Sequence, residues 1–429
     1  MSDITAAKQA VLMIAYTHYE TDARVMREAE AAVSGGFDVD FLALRRPNDP
    51  DVEMVHGVRL IRLHQFRYRG AGRVQYLLAY LQFFVRCFFK CTALFFKQRY
   101  RVIHVNNLPD LLVFCTLIPK VFGAKVLLDI HDPMPDTFTT KFKTGGRGWL
   151  YRSLVWLERF SGWYCDGIIT VSDPVKNDVL IGHGIPADRI HVVANFADDE
   201  LFTLRASTAV RDKVRMVFHG TILERYGLRD LMLALAQAKR RDKLDVTIIG
   251  EGDFSSELEE MINSIGLKET VHFDNRFYPL RQIPDIVAGF NLGLAPLQAT
   301  TTITNYGLPV KMLEYISLGL PVLTIRNAAI AYYFGEDDCL FYEAGNIASL
   351  AAVLDRVVDE PELLRVYQQR AVSLRNKFGW STQRRKYVDL LRSLTGQPAR
   401  TVTAVSDAGS SGPTPRKESP EIEGTVDRS

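Results

Sequence analysis

The sequence predicts an α/β protein of two Rossmann-like parallel-sheet domains that face each other across an interdomain cleft. Three observations carry this reading. Short β-rich runs alternate with helical patterns, the signature of βαβ units. The alternation occurs twice along the chain. Between the two rounds lies a break near residues 196–213 (FADDELFTLRASTAVRDK), which reads as a linker. Such crossovers are right-handed, and ligands of such sheets bind beyond the carboxyl ends of the strands. Two domains of this kind therefore place their sites in the cleft between them.

Size and composition agree. The chain has 429 residues, enough for two or three domains at roughly 100–200 residues each. Hydrophobic residues make up 47% and charged residues 24%, as in soluble globular proteins that fold without disulfides or metal. With 52 basic and 50 acidic residues the net charge is +2. That balance excludes a globally basic nucleic-acid binder and an acidic solvating chain, so any charged partner must meet a local patch. The cysteines are Cys87, Cys91, Cys115, Cys165 and Cys339, with no C-x-x-C pair. An odd, scattered set argues against a disulfide framework or a zinc site and for a reducing compartment. The opening MSDITAAKQA has no basic segment followed by an apolar run, so no signal peptide is expected.

In the first half the expected strands are Val11–Ala15, Val39–Ala43, Val102–Val105, Lys125–Asp129 and Ile168–Val171. The first βα turn, Ala15–Asp22, lacks G-x-G-x-x-G, so an ordinary dinucleotide site is not supported there. Asp22 is placed to cap the helix that follows. Arg24, Arg27 and Glu28 then lie on its first turns, either for acceptor binding or as surface ion pairs. Residues 74–98 read VQYLLAYLQFFVRCFFKCTALFFKQ. The uncharged stretch Val74–Val85 is too short to span a bilayer. As a helix the segment has a narrow polar stripe (Gln82, Arg86, Lys90, Lys97) and a broad apolar face, with Arg67, Arg69 and Arg73 before it and Arg99 and Arg101 after. It fits either a helix packed in the first domain or one lying on an anionic membrane surface. Asp38-Val-Asp40 opens a strand and reads as a strand edge rather than a metal site. The run Leu127–Pro135 leaves a buried strand and meets two prolines. His131 and Asp132 thus fall at a strand's carboxyl end, to exchange a proton, to bind substrate hydroxyls, or simply to form a loop.

In the second half the expected strands are Arg215–His219, Leu244–Ile249, Val271–Phe273, Leu292–Ala295 and Pro321–Thr324. Phe218-His219-Gly220-Thr221 through Arg225 leaves the first of them, and its glycines allow close backbone approach to a ligand. Arg225 precedes a helix, a place suited to a pyrophosphate. Gly250-Glu251-Gly252 is a second Gly-rich turn, or a plain one. In Asn305–Pro321, Pro309 suits a first helical turn. Lys311 and Glu314 share a face: Lys311 near the helix start suits an anion, and Glu314 suits paired sugar hydroxyls. A surface ion pair is the plainer alternative.

These residues resemble the nucleotide-sugar glycosyltransferases of GT-B fold, of the glycosyltransferase family 4 (group 1) type. The resemblance runs in order through Asp22-x-Arg24-x-x-Arg27-Glu28-Ala29, His104-Val-Asn-Asn-Leu-Pro-Asp110, Asp129-Ile-His-Asp-Pro-Met-Pro135, Val171-Ser172, Val193-Ala-Asn195, His219-Gly-Thr to Arg225, Gly250-Glu-Gly252 and Pro309-Val-Lys-Met-Leu-Glu314-Tyr with Gly319-x-Pro321. It implies that Arg225 and Lys311, with Gly220 and Thr221, bind the donor diphosphate. It implies that Glu314 binds the ribose and that Gly252 and Phe277 lie near the base. His131, with Asp132, would face the transferred sugar as the catalytic pair, and Asp22 and Arg24 would sit on the acceptor side. The family pattern also has departures here: Tyr306 stands eight residues before Glu314 where the family carries a Glu that contacts the donor sugar, Thr221 stands where many members carry Arg, and the first βα turn lacks the usual Gly pair.

The resemblance implies a retaining, metal-independent hexosyltransferase-like enzyme. No cofactor is expected, and the donor substrate is a UDP- or GDP-linked sugar. The acceptor is expected to be lipid-linked or a polysaccharide, at the inner, cytoplasmic membrane face, with contact to the anionic surface through residues 74–98. A GT-B nucleotide-sugar 2-epimerase and a non-catalytic degenerate scaffold are the alternatives. The expected boundaries are 1–197 for the acceptor-side domain, 198–213 for the linker and 214–378 for the nucleotide-sugar domain. A helix over 379–395 is expected to pack back on the first domain. Residues 396–429, rich in Pro, Gly, Ser and Thr, are expected to be a disordered tail.

Overall fold

A computed structural model describes residues 8–65, 68, 72–142, 148–205 and 210–398. The tail from residue 399 on, linker residues 206–209, and Arg67 and Arg69 lie outside the described residues. In chain order the strands are β1 (Ala10–Ile14), β2 (Asp38–Leu44), β3 (Val52–Val55), β4 (Val58–Leu63), β5 (Tyr100–Asn106), β6 (Lys125–Ile130), β7 (Gly167–Thr170) and β8 (Ile190–Val192). The second half adds β9 (Val214–His219), β10 (Leu244–Ile249), β11 (Val271–Asp274), β12 (Leu292–Ala295), β13 (Val322–Ile325) and β14 (Leu340–Tyr342). Helices that matter for the site and its surroundings are α1 (Ala23–Ser34), α2 (Arg73–Lys97), α3 (Met134–Phe142), α4 (Trp149–Tyr164), α5 (Leu228–Gln237), α6 (Val310–Leu318) and α7 (Trp380–Thr395).

Two sheets result. The first has eight strands in the order β3-β4-β2-β1-β5-β6-β7-β8; the second has six, β11-β10-β9-β12-β13-β14. All neighbouring strands are parallel except β3 and β4, which form an antiparallel hairpin, so the first sheet is mixed at one edge. That hairpin turns at His56 and Gly57, both with positive φ (48° and 82°). His-Gly is not among the usual hairpin dipeptides, which is why no strand was expected there. Strands β8 and β14, three residues each, were likewise too short to show a pattern.

The sheet centres follow from composition. Strand β1, AVLMI, is buried throughout, as a parallel strand covered on both faces requires. Its side chains alternate: Val11 and Met13 join α1 and α7 in one core, while Leu12 and Ile14 join α2 in another. Helix α7 belongs to the second half in sequence but completes the first domain's core through Trp380, Tyr387 and Leu391. It is pinned where it crosses: Trp380 N donates to Ala197 O at 2.8 Å, Ala194 N donates to Gln383 Oε1 at 3.0 Å, and Tyr387 Oη pairs with His104 Nδ1 at 2.8 Å.

All five cysteines are free and buried. Burial pushes the Cys87 and Cys115 thiols well up, so they behave as apolar packing. Asp40 is buried too, and its carboxylate is taken by Arg59 Nε at 2.8 Å and by the Tyr100 hydroxyl. It is a packing ion pair between the neighbouring strands β2 and β4.

Because His104 is fully buried, Tyr387→Phe leaves its ring nitrogen without a partner. The variant is expected to lose about 1–3 kcal/mol of stability, read as a lowered urea midpoint with an unchanged m-value.

Candidate active site

The carboxyl ends of β1, β6 and β7 face those of β9 and β12, as the strand-end rule requires. Between them is a cavity of about 620 Å³ lined by both domains. Of the site residues expected from sequence, Asp22, Arg24, His131, Asp132, Gly220, Thr221, Arg225, Lys311 and Glu314 all line it. Residues as far apart as 22 and 314 are thus brought to one chamber.

The second domain supplies the cationic wall. Gly250 has φ 140°, and a Cβ there would lie 1.9 Å from Gly220 O. The two Gly-rich turns therefore cross in direct backbone contact, which only glycine permits. Helix α6 starts after Pro309, with Lys311 in its first turn. The Lys311 Nζ sits 3.6 Å from the Phe218 ring centre and 4.4 Å from that of Tyr226. It is buried with no hydrogen-bond partner among the described residues. Burial pushes the ammonium down to about 7, with Glu314 opposing weakly. An amine held in this state is ready to gain a proton and an anion together. Glu314 is not a surface partner of Lys311: it is buried, and its Oε2 accepts from His219 Nε2 at 2.8 Å. His219 is held in turn by the Tyr315 hydroxyl at 2.9 Å from Nδ1. Sequence reading did not assign His219 a role; its position at the end of β9, next to Gly220, was the available signal. Arg225 is exposed on the loop before α5, its guanidinium over the Tyr226 ring at 5.4 Å.

The first domain supplies a rigid polar wall. Asp22 caps α1, accepting from Val25 N at 3.4 Å. Arg24 does not reach out to an acceptor. It is buried and forms a two-point pair with Asp129, Nε to Oδ2 and Nη2 to Oδ1, both 3.0 Å. Its Nη1 donates to Val193 O at 3.0 Å. Glu28 lies 3.0 Å from Arg24 Nη2, without hydrogen-bond geometry. Burial, with Asp129 nearby, holds the Glu28 carboxyl well above its usual range against Arg24, and burial pushes His104 down to about 4. Glu28, His104 and Asp129 are close enough to surround a cation, but Arg24 already neutralises Asp129 there. The loop after β6 is clamped by Asn107, whose Oδ1 accepts from His131 N at 3.0 Å and whose Nδ2 donates to Asp132 O at 2.8 Å. His131 remains one-fifth exposed at the cavity, and Asp132 is exposed beside it.

Two of the expected residues stand outside this lining. Phe277 is 73% exposed and does not line the cavity, because the chain after β11 carries it outward past Glu251. Gly252 does not line it either; a Cβ there would meet Ile222 O at 2.1 Å, so this glycine serves backbone packing. Tyr306 lines the cavity and packs against the first domain's core. Arg27, which lines the cavity from the first domain, ties α1 to the linker through Phe196 O at 2.6 Å and to α7 by stacking on Trp380.

Fold and site define a two-domain α/β protein whose cavity has the buried Lys311 Nζ and the exposed Arg225 on the second domain's wall. The glycosyl transferase 4-like domain family matches residues 21–195, and the glycosyl transferases group 1 family matches residues 213–360. The chain belongs to the GT-B glycosyltransferases of group 1 type. It is similar to the amylovoran biosynthesis glycosyltransferase AmsK of Erwinia amylovora, 24% identical over 218 residues, covering 50% of this chain and 53% of that protein. It is also similar to the putative colanic acid biosynthesis glycosyl transferase WcaI of Escherichia coli K12, 27% identical over 197 residues, or 42% of this chain and 47% of that one. The chain thus spans about half the length of these two curated relatives. Among solved structures, sucrose-phosphate synthase from Thermosynechococcus elongatus superposes with TM-score 0.71 at 18% identity, over 91% of this chain and all of that one. Anabaena HepE in complex with UDP gives 0.66 at 13% identity, over 90% of this chain and all of that one.

An anion bound against Lys311 would bind with a pH dependence of definite sign. The folded pKa of Lys311 is depressed, so above about pH 7 the free protein holds it neutral, while a bound diphosphate favours the charged form. UDP binding should take up a proton between about pH 7.5 and 9.5, and affinity should fall by up to about tenfold per pH unit. Calorimetry in buffers of different ionisation enthalpy reads both. Lys311→Met should abolish the proton uptake and weaken binding at least about tenfold, while raising the thermal midpoint, because a desolvated amine is gone.

Proposed function

We propose that this protein is a retaining, metal-independent glycosyltransferase that moves a sugar from a UDP- or GDP-linked donor to a lipid-linked or polysaccharide acceptor at the cytoplasmic membrane face. The observation that carries the reading is the single cavity in which His131 of the first domain faces Arg225, Lys311 and Glu314 of the second. The donor diphosphate lies against Lys311, Arg225 and the start of α6, where fixed positive charge stabilises the departing anion. Glu314, oriented by His219, accepts from the ribose hydroxyls. His131 contacts the transferred sugar as it gains oxocarbenium character. Departure on the front face lets the leaving phosphate help deprotonate the acceptor. The names of the relatives, which refer to amylovoran and colanic acid biosynthesis, support a polysaccharide or its lipid-linked precursor as acceptor.

Two outward helices of the first domain support the membrane part. Helix α2 is long and apolar enough to cross a bilayer by length and composition, against the shorter limit expected from its uncharged stretch. One face of it, Tyr80, Phe83, Cys87, Cys91 and Phe95, is built into the domain core, so a surface position fits better than a span. Its opposite stripe, Val74, Leu77, Leu78, Leu81, Val85 and Phe89, is exposed. Helix α4 presents Trp149, Trp156 and Trp163, each more than 60% exposed and seven residues apart. The segment around α2, residues 54–109, holds ten basic and no acidic residues. Arg59 and Arg62 of these are paired with Asp40, Glu20 and Glu53; an exposed apolar helix face in a segment without acidic residues, with exposed Trp on the same domain, suits an anionic lipid surface.

Labelled UDP- and GDP-sugars incubated with a membrane extract should give transferred label with the anomeric configuration retained. Glu314→Ala should lower transfer about 10²-fold or more; full activity in this variant would reject the site assignment. In a separate measurement, the purified protein should sediment with phosphatidylglycerol-containing vesicles at low salt. Lys90→Glu with Lys97→Glu, or Trp156→Ser with Trp163→Ser, should reduce the bound fraction several-fold, each lysine contributing about 1 kcal/mol.

A further inference from the structure

We propose that Asp129 is the positioning residue of this site: it holds the His131 imidazole with Nε2–H toward the protein interior and Nδ1 toward the cleft. This rests on the reading that His131 faces the transferred sugar. The His131 Nε2 lies 2.9 Å from Asp129 Oδ2 and 3.2 Å from Asn106 Oδ1. The Asn106 amide is oriented by its own Nδ2, which donates to Ile14 O at 3.4 Å. Nε2 therefore faces two acceptors and carries the proton in either charge state of the ring. Nδ1 has no hydrogen-bond partner among the described residues, and the ring borders the cavity.

Asp129 is fully buried and cannot touch a substrate. Its own orientation is fixed by the two-point contact with Arg24, which is tied to Val193 O where the chain leaves β8. Burial would raise its carboxyl, but Arg24 and His131 outweigh that and hold it below the usual carboxylate range. The next carboxyl, Glu28, meets the same Arg24 Nη2 at 3.0 Å and makes no hydrogen bond to the ring among the described residues. The neutral ring then offers a lone pair at Nδ1, which accepts from a sugar hydroxyl. The other tautomer would present an N–H and select a different contact. A carboxylate behind a catalytic imidazole acts in this way by setting tautomer and orientation.

The test uses the full chain, with labelled UDP-glucose, UDP-N-acetylglucosamine and GDP-mannose and a membrane extract as acceptor source. Asp129→Asn should lower kcat about 10²- to 10⁴-fold with the donor KM within about threefold, since the diphosphate is held by the other domain. His131→Ala should lower kcat similarly, and adding Asp129→Asn to it should cost no more than about a further threefold. In the wild type, ¹⁵N-histidine NMR should show His131 as the Nε2–H tautomer; this reading survives even if Asp129→Asn fails to fold. An Nδ1–H tautomer in the wild type overturns the inference. So does an active Asp129→Asn beside an inactive His131→Ala, or a fully additive double variant; each leaves the sugar-facing reading of His131 intact. Full activity of His131→Ala would instead remove that reading, and the inference with it.

Discussion

The buried pair of Arg24 and Asp129 is the constraint on which the first domain's half of the site depends. It joins the first turn of α1 to the end of β6, and through Val193 O to the strand that leads into the linker. Three segments far apart in sequence are thereby held at one point. Breaking such a pair by removing one member costs about 3–5 kcal/mol, because the remaining charge is left desolvated. Replacing both members together would be cheaper in stability. The pair is therefore explained better by what it holds in place, the His131 ring and the exit of the chain, than by its net contribution to folding.

The two walls of the cleft use opposite strategies. On the first wall Arg24 and Asp129 neutralise each other inside the protein, and Asn107 clamps the loop that carries His131. On the second wall the Lys311 Nζ has no hydrogen-bond partner among the described residues and lies against two aromatic rings, and Arg225 is exposed over the Tyr226 ring. A preorganised but unsatisfied cation is suited to an anion that appears as a bond breaks. The crossing of the two glycine turns makes room for it.

The chain also ties the walls together. Tyr333 of the second domain bonds Asp173 of the first at 2.9 Å, Tyr306 reaches the first domain's core, and α7 returns to pack beside α1. Tyr306 therefore has an interdomain contact at the position where the family carries a sugar-contacting Glu. Helices α2 and α4 of the first domain keep apolar side chains exposed, mainly Val and Leu on α2 and Trp on α4.

The sequence by itself determined the two sheets, because alternation of apolar strands with helical patterns is a local property. Nearly every expected strand lies within two residues of its place. It also determined where the chemistry would fall, since Gly-rich and Pro-bounded turns after strands mark carboxyl ends. What it left open depended on distance. Arg24 reads as a surface residue when only its helix is considered, because its partner Asp129 is more than a hundred residues away. His219 reads as a strand-end residue until Glu314 is brought against it, and Lys311 and Glu314 read as an ion pair until α6 is docked, which buries Glu314 and the Lys311 Nζ. The exposure of Phe277 outside the cavity lining is likewise not legible in spacing, since the direction of a loop leaving β11 is set by its neighbours. Burial and pairing are properties of the assembled domains, and only the tertiary structure decides them.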